Sequence, residues 1–153
     1  FEDWLPMFDP PGVAEFLGLD GSKTNHELCT AFFAKVFDRY KNKIGGMNAL
    51  IEKSTGKLIG QCGFKIQEVN NQSYLEIGYA ILPKYWGKGI ATEASKEIIK
   101  YGFEKLSLDR IIGIAMPDNI GSNKVLEKIG LNFYKVGEYD GDGKSYNWYK
   151  IER

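Results

Sequence analysis

Residues 75–95, which read LEIGYAILPKYWGKGIATEAS, decide the fold that this sequence predicts. The order of residue types indicates a strand, a turn, a glycine-bearing loop and then a helix. Pro83 cannot donate to a ladder, so the strand is expected to end there. Successive side chains of a strand point to opposite faces, which divides this strand into two sets. The set expected to face the core is bulky and apolar: Leu75, Ile77, Tyr79 and Ile81.

The other face of this strand carries Glu76 beside two small residues, Gly78 and Ala80, with Tyr74 at its start. Small side chains leave open space above a sheet, so the pattern predicts a cavity with one carboxylate in its wall. Partial burial would raise the pKa of Glu76 toward neutrality, which suits a general base. A carboxylate on a solvated strand face, or one that binds a cationic substrate, would produce the same pattern.

The loop that follows predicts an anion site. A glycine-bearing loop that runs into a helix presents several backbone N–H groups at the positive end of the helix dipole. The spacing does not fit two common nucleotide motifs. A Walker loop needs Ser or Thr after its lysine, and here Lys88 is followed by Gly89. The dinucleotide fingerprint needs a third glycine at position 92, which is Thr.

Two stretches resemble the GNAT acetyltransferases. The window from Trp86 to Ala91 resembles motif A of that family, Gln/Arg-x-x-Gly-x-Gly/Ala, with Trp86 in place of the usual first residue. The following Thr92-Glu93-Ala94 resembles the branch that includes the N-terminal (alanine) acetyltransferases of ribosomal proteins. Residues Asn119 to Leu131 resemble motif B, and two motifs in the family's order are more specific than either one alone.

The resemblance implies a GNAT fold of the α/β (α+β) class. This fold has a single mixed, mostly antiparallel sheet of about six strands, helices on both faces and a parallel, splayed central strand pair. Residues 1–153 are expected to form a single acetyltransferase domain in which the first strand of the family is missing. The chain's own patterns place strands near 48–53, 57–68, 74–82, 109–116, 134–139 and 145–151, and helices near 10–17, 24–40, 90–106 and 119–129.

Several helix and hairpin ends are predicted by local signals. Asp9 is expected to cap the first short helix, and Gly18 to stop it. Thr24-Asn25-His26-Glu27 is typical of a capping box. Gly130 followed by Leu131 predicts a Schellman end for the last helix. Turns are expected at 69–72 and at 140–143.

The resemblance also implies a co-substrate, acetyl-CoA, whose acetyl group passes directly to an amine in a ternary complex. Its pyrophosphate is expected on the loop amides, and its pantetheine arm along the strand edge. A backbone N–H at that edge would also stabilise an oxyanion. The residues expected to bind the cofactor are Ile81, Leu82, Trp86, Gly87, Lys88, Gly89, Ile90, Ala91, Thr92, Asn119 and Ser122.

Glu76 and Ser122 are the candidate catalytic residues. Glu76 would accept the proton of the incoming ammonium, directly or through a water. Many family members use a tyrosine of the last helix as the acid for the departing thiolate, and the matching position here is Leu126. Ser122 is similar in place to the serine of the ribosomal-protein branch and would hydrogen-bond the thiol; local capping of the helix is the alternative. Asn119 is expected to cap that helix.

The overall composition excludes several classes of partner. Twenty basic and twenty acidic residues cancel, so neither a nucleic-acid nor a membrane surface is expected. No apolar run approaches the roughly 20 residues that span a bilayer. Cys29 and Cys62 are expected as buried thiols of a cytoplasmic protein. One His and two isolated Cys do not predict a metal site.

The acceptor is not fixed by any motif. A protein N-terminus and a small-molecule amine, such as a polyamine or an aminoglycoside, are both compatible with the sequence. A different outcome is a non-catalytic domain that binds acyl-CoA as a sensor, an alternative that the absence of the family's tyrosine at Leu126 leaves open. The oligomeric state also stays open, with a homodimer among the alternatives.

Overall fold

Six strands make up the sheet in the computed structural model, which describes residues 1–69, 71–138 and 142–153. They are β1 (Asn48–Ile51), β2 (Leu58–Val69), β3 (Gln72–Ile81), β4 (Arg110–Ala115), β5 (Asn132–Gly137) and β6 (Tyr146–Glu152). Their order in space is β1-β2-β3-β4-β6-β5. The β3–β4 pair is parallel and the other pairs are antiparallel. The predicted mixed, mostly antiparallel sheet is therefore confirmed.

Four α-helices lie in the same described ranges, together with short 3-10 turns at Leu5–Phe8 and Pro83–Tyr85. None of them is both long and apolar enough to cross a bilayer. They are α1 (Val13–Phe16), α2 (Asn25–Asn42), α3 (Ile90–Glu104) and α4 (Ile120–Lys128).

The helices cover both faces of the sheet, so β3 is buried on both sides. Ala80 packs in a cluster with Val13 of α1 and Leu28 of α2. Ile77, which points to the opposite face, packs in a second cluster with residues of α3 and α4 such as Ile99. The predicted arrangement of helices on both faces is therefore confirmed.

Local signals predicted the start of the long helix correctly and the end of the first short helix at Gly18, but not the start of that short helix. The Thr24 hydroxyl accepts the Glu27 amide and the Glu27 carboxylate accepts the Thr24 amide, which confirms the capping box. The prediction that Asp9 caps the first helix is wrong. The Asp9 amide instead closes the 3-10 turn on Pro6, and its carboxylate accepts a hydrogen bond of 2.8 Å from Asn25. Helix α1 begins only after Gly12.

Two predicted turns fall partly on residues that are not described. The turn at 69–72 includes residue 70, and the hairpin tip at 140–143 includes residues 140 and 141, all outside the described ranges. The strands that flank these turns pair as expected, β2 with β3 and β5 with β6.

Candidate active site

The central feature of the site is the separation of β3 from β4. These parallel strands share a single residue pair, Glu76 with Ile112, whereas β2 and β3 stay paired as far as Ile81. The gap forms part of a cleft of about 1140 Å³. The cleft is lined by the N-terminal helices, the end of β3, the following loop and the start of α4. The predicted splay of the central strand pair is present.

The free edge of β3 lies at Tyr79 and Ile81. Both backbone groups of Leu82 are used within the protein: its N–H donates to the Ile59 carbonyl at 3.0 Å, and its carbonyl accepts the Tyr85 amide at 2.9 Å. Alternate residues of an antiparallel strand direct their backbone groups to opposite sides, so Tyr79 and Ile81 face the gap. Of the two residues predicted to receive the pantetheine arm, Ile81 presents backbone groups to the gap and Leu82 does not.

Trp86 caps the end of this edge. Its indole Nε1–H donates a hydrogen bond of 2.6 Å to the Ile81 carbonyl, while half of the residue stays exposed. The sequence shows only that Trp86 stands where the family has a polar Gln or Arg. The structure shows that the indole donor is directed back onto the strand.

The loop after Trp86 presents a group of unbonded amides. Among the described residues, none accepts a hydrogen bond from the amides of Gly87 to Thr92, and Glu93 is the first residue after this run whose amide is bonded. Gly87 and Gly89 have φ of 74° and 77°, a left-handed conformation that favours glycine. A Cβ on either glycine would meet nothing within 4 Å, so the space beside them is open.

Glu76 lies in the wall of the cleft with both carboxylate oxygens occupied. One oxygen is 3.2 Å from the Lys65 ammonium, and the other accepts a hydrogen bond of 2.6 Å from the Gln67 side chain. Gln67 is held in turn by Arg39 of α2 at 2.7 Å. Glu76 is only 5% exposed, so its charge is compensated by this network rather than by water.

The space directly against Gly78 is filled, although this face of β3 lines the cleft as predicted. A Cβ on Gly78 would lie 2.8 Å from Lys65 Cε and 2.9 Å from Met47 Sδ. Lys65 belongs to β2 and Met47 precedes β1, so the alternation of residues within β3 could not reveal either side chain. Gly78, Lys65 and Met47 nevertheless line the cleft together with Glu76, so a cavity with a carboxylate in its wall is present and begins beyond these two side chains.

The start of α4 brings Asn119 and Ser122 to the cleft. The Asn119 side chain accepts the Ser122 amide at 3.1 Å, which confirms Asn119 as the helix cap. The Ser122 hydroxyl lies 3.0 Å from the hydroxyl of Tyr79, which also reaches the Ser122 carbonyl at 2.9 Å. Burial raises the pKa of Tyr79, and the charge of Glu76 raises it further.

Tyr79 is the residue that sequence reasoning placed in the core without a function. The alternation of the strand was read correctly, because Tyr79 does face α4 together with Ile77. The sequence did contain one sign of a function. Tyr79 is the one hydroxyl-bearing side chain on an otherwise aliphatic face of the strand, and a buried tyrosine hydroxyl requires a hydrogen-bond partner.

Leu126, which matches the family's tyrosine position, belongs to the core. It is 1% exposed, and Gly113 of β4 lies so near that a Cβ there would collide with it. The helix ends as predicted in a Schellman motif, with the Leu131 amide on the Leu126 carbonyl and the Gly130 amide on the Glu127 carbonyl.

Comparison with known proteins identifies the family of this fold and site. Residues 1–132 match the acetyltransferase (GNAT) domain family, and the chain belongs to that family. YjdG of Bacillus subtilis, an uncharacterized N-acetyltransferase, is 32% identical over 147 residues, covering 88% of this chain and 86% of its own. The uncharacterized protein YkkB of the same organism is 38% identical over 85 residues, or 56% of this chain. This chain spans about half of YkkB, at 49%.

Solved structures show the same fold. An acetyltransferase from Agrobacterium tumefaciens superposes with a TM-score of 0.76 at 20% identity, covering 100% of this chain and 85% of that one. The microcin C7 self-immunity acetyltransferase MccE, solved in complex with acetyl-CoA and AMP, gives a TM-score of 0.62 at 19% identity, covering 86% and 73%.

Proposed function

We propose that the protein is an acetyl-CoA-dependent N-acetyltransferase that passes the acetyl group directly to a primary amine, either a protein N-terminus or a small molecule. The observation that carries this proposal is the run of unbonded amides from Gly87 to Thr92, at the start of α3 and beside the gap between β3 and β4. A pyrophosphate is an anion rich in hydrogen-bond acceptors, and a helix N-terminus with free donors suits such a group.

The edge of β3 supports the placement of the rest of the cofactor. A pantetheine arm contains amides, and the Ile81 N–H on the gap side is a suitable donor for one of them. Because Trp86 already occupies the Ile81 carbonyl, the arm would begin to pair beyond that bond, deeper in the cleft. The supporting residues across the cleft are Asn119 and Ser122 at the start of α4.

Glu76 is the proposed binding site and proton acceptor for the amine. A primary ammonium with a pKa of about 10 must lose a proton before it attacks. Both oxygens of Glu76 are already bonded, and an incoming ammonium would replace the Lys65 ammonium at the carboxylate. Replacement of one cation by another preserves the charge balance of this buried group.

A thiol-release assay with a panel of amines tests the proposal. The panel contains peptides with free N-termini, polyamines and aminoglycosides, and acetyl-CoA binding is measured in parallel. CoA release that depends on one class of amine is the expected result and identifies the acceptor. Saturable acetyl-CoA binding without release by any amine would replace the transferase proposal with the sensor function, and absence of binding would contradict both.

A further inference from the structure

We propose that Tyr79 is a positioning residue for Ser122: its hydroxyl orients the serine so that the Ser122 O–H can donate a hydrogen bond to the thiolate that leaves during acetyl transfer. The inference rests on the proposed function. It concerns a residue on the edge of the cleft that neither the sequence motifs nor the family resemblance assigns.

The geometry gives the two hydroxyls two alternative arrangements. The Tyr79 hydroxyl lies 2.9 Å from the Ser122 carbonyl and 3.0 Å from Ser122 Oγ. In one arrangement Tyr79 donates to the carbonyl and Ser122 donates to Tyr79. In the other, Tyr79 donates to Ser122 Oγ, and the serine proton is left for an acceptor in the cleft. The number of hydrogen bonds is kept when such an acceptor is present, so the exchange costs little.

The location of the pair favours a role at the sulfur. Tyr79 precedes Ile81 by two residues on the free edge of β3, so it lies farther from the loop amides than Ile81 does. Ser122 faces it from the first turn of α4, and both residues line the cleft. One turn later Leu126 is buried and has no hydroxyl, so the Tyr79–Ser122 pair supplies a donor that Leu126 cannot.

The chemistry requires a donor rather than a source of protons. Burial raises the pKa of Tyr79, so its hydroxyl keeps its proton in the neutral range, and a thiolate whose thiol has a pKa of about 8.5 does not remove it. During transfer the bond between amine nitrogen and carbonyl carbon forms, the C–S bond breaks and its electron pair stays on sulfur. The thiolate accepts a hydrogen bond from Ser122 and later takes a proton from solvent, while the amine proton passes to the base. Tyr79 and Ser122 end as they began.

Two tyrosine variants test the role with matched chemistry. Tyr149 is also buried, and its hydroxyl also donates to α4, at 2.8 Å to the Asn123 side chain, but it does not line the cleft. Tyr79→Phe is expected to lower kcat by roughly ten- to a hundredfold, because Ser122 without its partner no longer holds its hydrogen bond to the charged thiolate. KM for acetyl-CoA should change little. Tyr149→Phe removes a similar anchor of α4 and is expected to keep kcat within a few fold.

The pKa of the thiol in bound CoA provides a readout that a purely structural role would not change. Thiolate absorbance is titrated in the CoA complex, with the desulfo-CoA complex subtracted. The wild-type protein should lower this pKa, Tyr79→Phe and Ser122→Ala should each lose the effect, and the double variant should lose no more. An unchanged thiol pKa in Tyr79→Phe, or an equal loss of kcat in Tyr149→Phe, would overturn the inference. If the wild-type protein releases no CoA with any amine, the transferase proposal fails, and the titration still decides whether Tyr79 and Ser122 act on the thiol.

Discussion

The indole nitrogen of Trp86 lies 2.6 Å from the carbonyl oxygen of Ile81 and donates a hydrogen bond to it. The 3-10 turn Pro83–Tyr85 folds the chain back so that this side chain meets the strand it follows. The bond ends the free edge of β3 next to the unbonded loop amides. Trp86 therefore sets where an extended ligand can begin to pair with the strand.

Removal of the Trp86 donor is expected to weaken the binding of acetyl-CoA. Trp86→Phe leaves the Ile81 carbonyl without its partner, so the strand end and the loop are less preorganised for the ligand. The ordering cost that binding must then supply is limited to one neutral hydrogen bond, about 1 kcal/mol, or roughly fivefold in Kd. Trp148→Phe is the control, because its indole also donates to a backbone carbonyl, that of Gly137 at 3.3 Å, outside the cleft. Titration calorimetry should show the weaker binding in the first variant alone; equal Kd values for both variants would contradict the role of Trp86.

Introduction of the family's tyrosine at position 126 is expected to destabilise the protein without raising turnover. Leu126 is packed against Gly113, so the larger side chain of Leu126→Tyr overpacks the core and costs about 1–3 kcal/mol of unfolding free energy. Denaturant unfolding measures this loss, and Leu126→Met serves as the volume-conserving control. A Leu126→Tyr variant as stable as the wild type and with a higher kcat would show that the site can accept a tyrosine acid.

Neutralisation of Glu76 is expected to affect turnover more than cofactor binding. Glu76→Gln keeps the shape of the side chain but cannot accept a proton, and loss of a general base typically lowers kcat by about 10²–10⁴-fold. The Kd of acetyl-CoA should stay within a few fold. Glu68→Gln is the same change at an exposed position of β2 and should keep kcat. Full activity of Glu76→Gln would remove Glu76 as the base.

The raised pKa of Tyr79 predicts a loss of stability in alkaline solution. The unfolded tyrosine ionises at about pH 10, whereas the folded one still holds its proton, so the unfolded state is favoured increasingly as the pH rises above that value. Above this pH the free energy of unfolding should therefore decrease less steeply with pH in Tyr79→Phe than in the wild type, and the two slopes should differ by up to about 1.4 kcal/mol per pH unit. Denaturant midpoints measured at several pH values check this. At about pH 8 the slopes of unfolding free energy against pH should agree in the two proteins. Identical slopes above about pH 10 would contradict the burial of this hydroxyl.

Features that depend on neighbouring residues in the chain could be predicted from the sequence. The capping box at Thr24, the Schellman end at Gly130 and the strand–loop–helix order around Pro83 each depend on a few consecutive residues, and the structure shows all three. The sheet topology followed from the resemblance of two motifs, whose order in the chain also placed Asn119 and Ser122 at the start of α4.

Features that depend on distant segments could not be predicted. The partners of Glu76 come from β2, and Arg39 of α2 extends their network. Alternation within β3 therefore could not show that Lys65 and Met47 fill the space directly against Gly78. The same alternation placed Tyr79 on the correct face but could not show that Ser122 meets it there. The prediction that Asp9 caps the first helix was wrong because the Asp9 amide closes the preceding 3-10 turn.

Calorimetric titration of acetyl-CoA into the wild-type protein, Gly89→Glu and Gly56→Glu tests the central claim most directly. Both glycines have positive φ, 77° and 70°, and open surroundings, so the two substitutions introduce the same charge with similar backbone strain. Only Gly89 lies in the amide loop beside the cleft. The account predicts that the wild type and Gly56→Glu bind acetyl-CoA and that Gly89→Glu does not. Unchanged affinity in Gly89→Glu would show that the amides from Gly87 to Thr92 are not the pyrophosphate site.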